Sequence, residues 1–265
     1  MYYCYLNGKI LPYGECNLHI SDLQLQRGYG VFDFFRSRNG SIPWLSDYTD
    51  RLFTSVQLSG MDMELSRQSF TSIIFDLHQK NRSENGAFKV IITGGYSENL
   101  DTVSGRENII ILNVPWQGPD RESYDKGVNL ITQEHLRSNP EIKTLNYFTT
   151  LQLRNKMKKH HAVDILFHRK TISEASRANL FFVKGGTIFT PANDILMGIT
   201  RKRLLAMFGE IRVEDIEFDR LYDFDEMFLS STSRDITPVV SVDGRKIGTG
   251  RPGGVTKEIT EAFKV

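Results

Sequence analysis

Lys143 stands in the run I-K-T-L-N-Y-F, between Ile142 and Leu145. An amine beside apolar groups is partly desolvated, which disfavours its charge and makes it a nucleophile or Schiff-base former. The same context also suits a surface lysine whose stem packs on the domain. Glu174 and Asn179 fall in the stretch Val163 to Arg201, at places where a pure core strand would carry apolar groups. Taken alone, Glu174 also fits the solvent side of an edge strand. Farther on, Gly198-Ile199-Thr200 opens a helical pattern continued by Leu204, Leu205 and Phe208. A glycine and a threonine at a helix start gather unpaired N–H groups into an anion site, or form an ordinary cap. Arg201, Lys202 and Arg203 crowd that same positive end of the helix. A bound phosphate would relieve the crowding, and so would side chains that reach into water.

Those residues need elements to hold them. Val163–Phe167, Leu180–Val183 and Thr187–Thr190 read as strands, with Arg169-Lys170 and Gly185-Gly186 as breaks. Near the start, Asn7-Gly8 is a hairpin signal between strands at 2–6 and 9–11. Gly30 to Ser37 predicts a strand with an acid, Asp33, inside an aromatic run. Asp47 is placed to cap a helix that carries Arg51, with Leu52 and Val56 on its inner face. Ser66 starts a second helix, whose Phe70, Ile73, Ile74 and Leu77 recur at helical spacing. Strands at 88–93 and 108–114 complete an α+β first half, and Gly94-Gly95 ends a strand beside a cleft or in a surface turn. The stretch W-Q-G-P-D-R-E-S lacks an apolar period. It predicts a smaller domain over 1–115, a linker over 116–123 and a larger domain over 124–265. The larger domain starts with a strand at 128–132 and one helix over 148–159. It ends with strands near 228–229 and 236–240, a hairpin turn at Asp243-Gly244 and a helix burying Ile259 and Phe263.

A chain of 265 residues, 40% of them hydrophobic, can bury a sizeable core. Its net charge of +1 argues against bulk capture of nucleic acid or anionic membrane. Cys4 and Cys16 are the only cysteines and lack metal-ligand spacing, so no metal is expected and a reducing, cytoplasmic setting fits. No apolar run approaches membrane-spanning length, and the first residues do not resemble a signal peptide.

The segments together resemble the class IV aminotransferases, fold-type IV enzymes that use pyridoxal 5'-phosphate. The specific matches are I-K-T-L-N-Y, S-E-A-S-R-A-N-L-F, T-P-A-N-D-I-L-M-G-I-T-R and S-T-S-R-D-I-T-P-V; weaker ones are R-G-Y-G-V-F-D and D-Y-T-D-R-L. Their order holds over essentially the whole chain. The resemblance implies two α/β-containing domains with the active site between them. It also implies a homodimer, in which a partner loop reaches toward the substrate. By the same resemblance, Lys143 would hold the cofactor as an aldimine and move the proton that passes through a quinonoid intermediate. Glu174 would contact the pyridine nitrogen and stabilise the protonated ring. Arg51, Ile199, Thr200 and Thr232 would bind the phosphate.

Substrate choice rests on departures from the family pattern. Many D-amino-acid aminotransferases carry an R-G-T element where this chain has Gly94-Gly95, so that arginine is missing. Arg27 and Arg177 stand instead in segments expected near the cofactor, and a planar guanidinium suits a carboxylate. Asp22 and Asp33 are nearby acids that could pair with one of them. Phe32 replaces a tyrosine common among relatives and makes the pocket more apolar. The expected function is transfer of an amino group from a D-amino acid to a 2-oxo acid. A branched-chain L-amino-acid aminotransferase, an aminodeoxychorismate lyase and a non-catalytic PLP-binding protein are the alternatives.

Overall fold

A computed structural model describes residues 1–263. The chain forms two compact units: residues 1–117 with 142–146, and residues 118–141 with 147–265.

The first unit is built on a five-stranded antiparallel sheet. Its strands are β1 (Tyr3–Leu6), β2 (Lys9–Pro12), β3 (Gly30–Arg36), β4 (Gly86–Thr93) and β5 (Asn108–Pro115), in the order β2-β1-β5-β4-β3. Asn7 and Gly8 join β1 to β2 with φ of 46° and 90°, left-handed angles that these residue types tolerate. Helices α1 (Leu23–Arg27), α2 (Leu45–Leu58) and α3 (Arg67–Asn81) complete the unit. Ser66 caps α3 by accepting from Ser69 N, and Phe70, Ile74 and Leu77 are fully buried. Each such side chain contributes about 1.5–3 kcal/mol relative to exposure. Asp47 does not cap α2 as the sequence suggested. The helix starts earlier, behind Trp44 in the left-handed region, and Asp47 is buried in its first turn.

A ten-stranded mixed sheet organises the second unit. In chain order it opens with β6 (Val128–Glu134), paired with β7 (Ala162–His168), which pairs in turn with β8 (Thr171–Ala175). The rest comprises β9 (Asn179–Lys184), β10 (Thr187–Thr190), β11 (Arg212–Val213), β12 (Ile216–Glu217), β13 (Glu226–Ser231), β14 (Asp235–Val242) and β15 (Arg245–Lys246). Central β9 and β13 are paired antiparallel and nearly continuous in apolar residues; Phe181 and Phe228 stack with ring centroids 4.9 Å apart. Helix α4 (Arg121–Asp125) precedes β6. The single helix expected over 148–159 is interrupted at Leu153, giving α5 (Phe148–Gln152) and α6 (Arg154–Lys159). Helix α7 (Ile199–Met207) packs on β13, and α8 (Gly254–Ala262) packs on β13 and β14 with Ile259 and Phe263 buried.

Candidate active site

In the first unit, the lysine segment is stitched along the outer edge of β3. Phe32 N donates to Lys143 O at 2.9 Å, Leu145 N donates to Gly30 O at 3.0 Å, and Val31 bridges Thr144. Ser55 of α2 accepts from Lys143 N at 3.2 Å. Held this way, the Lys143 ammonium lies 4.7 Å above the centroid of the buried Phe32 ring. Lys89, opposite Phe34 on β4, brings a second ammonium to the same ring, 5.3 Å from its centroid. The lysine therefore sits on an apolar floor without a phenol hydroxyl.

Beside it, Asp33 explains the acid inside an aromatic strand. It is fully buried and accepts from Arg51 Nε at 2.9 Å and Nη2 at 2.6 Å, a bidentate pair. Arg51 also lies 5.5 Å from the Tyr48 ring. Asp22 is likewise committed: it caps α1 through Gln24 N and accepts from Thr93 Oγ1 and Asn108 Nδ2. Neither acid holds Arg27, which pairs instead with exposed Asp101 at 3.2 Å. The absence of the arginine at position 94 has a packing cause. A Cβ on Gly94 would lie 2.3 Å from Tyr29 Cδ1, and the tyrosine is anchored by its hydroxyl to Ser59 O at 2.7 Å.

Glu174 belongs to the second unit and is buried, not on the solvent side of its strand. Arg137 Nε donates to its Oε1 at 2.7 Å, and Leu196 N donates to Oε2 at 2.9 Å. Arg137 also bonds Pro140 O, which closes its loop. The sequence gives no local sign of Arg137, because its partner lies 37 residues away. Tyr147, visible only as part of the lysine motif, completes this group. Its phenol is pushed up to about 12, by burial above all; Glu174 and Asp164 contribute to the rise, while Arg137 and Arg177 oppose it. It therefore stays a neutral hydroxyl at physiological pH.

The expected phosphate elements are also in this unit. Gly198 provides no side-chain cap to α7, so the first-turn N–H groups of Ile199 and Thr200 have no capping oxygen there. A Cβ on Gly198 would lie 2.0 Å from Asn179 Oδ1, and Asn179 Nδ2 donates to Leu196 O at 2.8 Å. That amide, out of place in an apolar strand, shapes the approach to the helix. Ser230, paired in register with Asn179, buries a hydroxyl oxygen that has no hydrogen-bond partner among the described residues. Thr232 follows on the same turn. An uncapped helix start, an orphaned hydroxyl and a glycine cradle fit an anionic phosphate. Arg201 neither reaches water nor crowds that end; buried, it donates to Thr190 Oγ1 and Pro191 O at 3.2 and 2.9 Å.

Arg177 donates to Val163 O at 2.6 Å and lies 3.6 Å from Asp164, a fully buried acid. Among the described residues, no cluster of His, Cys, Asp and Glu could hold a metal, and no helix is long and apolar enough to cross a membrane.

This fold and this set of residues define a class that comparison with known proteins makes explicit. The family described as amino-transferase class IV matches residues 30–242, and the chain belongs to that family. It is an aminotransferase, and the family's cofactor is pyridoxal 5'-phosphate. A D-alanine aminotransferase of Bacillus licheniformis is 28% identical over 97% of this chain and 94% of its own length. The branched-chain amino acid aminotransferase of Escherichia coli superposes with a TM-score of 0.91, at 27% identity, over 99% of this chain and 93% of that one. The same fold occurs in a branched-chain aminotransferase of the thermophilic archaeon Thermoproteus uzoniensis, solved with norvaline, at a TM-score of 0.90 and 20% identity, covering 99% and 93% of the two chains.

Proposed function

We propose that this enzyme moves the amino group of a D-amino acid to a 2-oxo acid, with Lys143 as its catalytic amine. The supporting observation is the buried Glu174 carboxylate, held by Arg137 and by Leu196 N in a chain that aligns end to end with a D-alanine aminotransferase. Pyridoxal phosphate, when bound, supplies an electron sink for the substrate α-carbon. Glu174 would present its negative charge to the pyridine ring and so favour the protonated form. Ile199 N–H, Thr200 and Thr232 hold the phosphate, and Arg51, oriented by Asp33, adds its positive charge. Lys143 Nζ takes the proton from the substrate α-carbon, which requires an amine that can lose its charge. Arg27 and Arg177 recognise a substrate carboxylate, and Phe32 forms the apolar floor. A homodimer working in the cytoplasm completes the proposal.

The similarity to the Escherichia coli enzyme favours a second reading, an aminotransferase of branched-chain L-amino acids. Rapid-mixing spectroscopy of the amino-donor half-reaction separates the two. D-alanine and D-glutamate should convert the cofactor with specificity constants at least about tenfold above their L-forms, a difference of roughly 1.4 kcal/mol. Preference for L-leucine or L-valine would establish the second reading instead.

A further inference from the structure

Two turns meet at one end of the larger sheet. Arg177 lies between β8 and β9, and Arg234 lies between β13 and β14. β9 and β13 are hydrogen-bonded neighbours with Asn179 opposite Ser230, so the turn before β9 and the turn after β13 share a sheet end. Arg234 is fixed through its backbone: its N–H donates to Ser231 Oγ at 3.2 Å, and its carbonyl accepts from Tyr124 Oη at 3.1 Å. Its half-buried guanidinium has no hydrogen-bond or ion-pair partner among the described residues. The charge around it is unbalanced. Asp164 is the nearby acid, yet its Oδ1 is occupied by Ser176 Oγ and Ile165 N, at 2.5 and 2.8 Å. Its Oδ2 makes no hydrogen bond and lies 3.6 Å from Arg177. Burial first, and then the Arg177 charge, pull the Arg234 guanidinium below its ordinary range, while Asp164 opposes them. Two guanidinium groups that share the influence of one committed carboxylate leave a net positive charge in a partly dry place, which an anion would neutralise.

We propose that Arg234 and Arg177 form a two-armed clamp for a substrate carboxylate, with Asp164 orienting the Arg177 arm. Placement beside the cofactor residues supports a substrate role: Arg234 stands two residues after Thr232 on the same turn, and the Tyr147 phenol carries charge effects from Glu174, Arg137, Asp164 and Arg177 alike. The clamp rests on the proposed aminotransferase reading only in taking the ligand to be substrate.

The test is calorimetric titration of the PLP-loaded enzyme with propionate, and with propionamide as the uncharged control. Arg234→Gln should weaken propionate binding about ten- to a hundredfold, the loss of one hydrogen bond to a charged group, and leave propionamide unchanged. The Arg177→Gln, Arg234→Gln double variant should lose less than the product of the single losses, because the arms share one ligand. In the unaltered protein, propionate should shield Arg234 from phenylglyoxal, read by peptide mass. The clamp is overturned if the wild type fails to bind propionate, if Arg234→Gln binds it equally, or if the losses multiply independently. Equal labelling of Arg234 with and without propionate would also overturn it, as would weaker PLP retention with propionate affinity intact. Propionate cannot donate an amino group. A failure of every amino acid to convert the cofactor would therefore strike the proposed function and leave the clamp measurement standing.

Discussion

Within the second unit, two acid–arginine pairs are built to opposite ends. Glu174 and Arg137 form a closed pair: their side chains are 7% and 17% exposed, and both carboxylate oxygens accept short bonds. Asp164 and Arg177 form an open one. The acid is fully buried, but the arginine is 44% exposed and stands 3.6 Å away, near a second guanidinium that has no partner among the described residues. In the closed pair the geometry leaves little to adjust, which suits a carboxylate that must present a fixed charge. The open pair has positive charge in excess, which suits a ligand that comes and goes. In the proposed roles, similar residue types serve a permanent contact and a transient one, distinguished by how completely their hydrogen bonds are satisfied.

Replacing either arginine by methionine should expose that difference. Arg137→Met strands a buried carboxylate and should cost about 3 kcal/mol of stability, read from denaturant unfolding of the PLP-loaded protein. A loss no larger than that of Arg177→Met would erase the distinction. Glu174→Gln keeps an acceptor for Leu196 N but removes the charge. It should slow α-carbon deprotonation by about a hundredfold and change PLP affinity far less. Unchanged deprotonation in rapid mixing would remove Glu174 from the ring. For Arg177→Met the expected stability loss is below about 1 kcal/mol, since that side chain is half in water. Its effect should appear in substrate affinity instead.

The smallest effect concerns Tyr147, whose phenol feels the charges of both pairs. Its folded pKa, about 12, is above the ordinary value of 10, so its contribution to stability is complete below pH 10 and fades as pH rises through 12. Tyr147→Phe should remove one late-ionising phenol from the ultraviolet titration and flatten that part of the stability profile. A titration identical to wild type would show that the phenol is not held as the structure has it.

Local signals were legible in the sequence where the cause of structure is local. Asn7-Gly8, Ser66 and Asp243-Gly244 announce their turns and cap through backbone preferences of the residues themselves. Asp47 misled because Trp44 accepts a left-handed angle and starts α2 three residues earlier. The break at Leu153 was hidden because Leu153 and Met157 keep one apolar spacing across both short helices. The lysine motif and the glycine-threonine helix start stood out because their residue types conflict with a plain core. Arg137 and Arg234 did not. Their meaning comes from strands that meet only in the folded sheet, and a surface arginine looks the same in one dimension.

The proposed reaction turns on an amine at Lys143, and the most direct measurement addresses that amine. Borohydride reduction of the yellow PLP-loaded enzyme, followed by digestion and mass spectrometry, should place the cofactor's mass on the peptide containing Lys143. Lys89, over the same Phe32 ring, is the internal control. An adduct on Lys89, or on any lysine other than Lys143, would contradict the account.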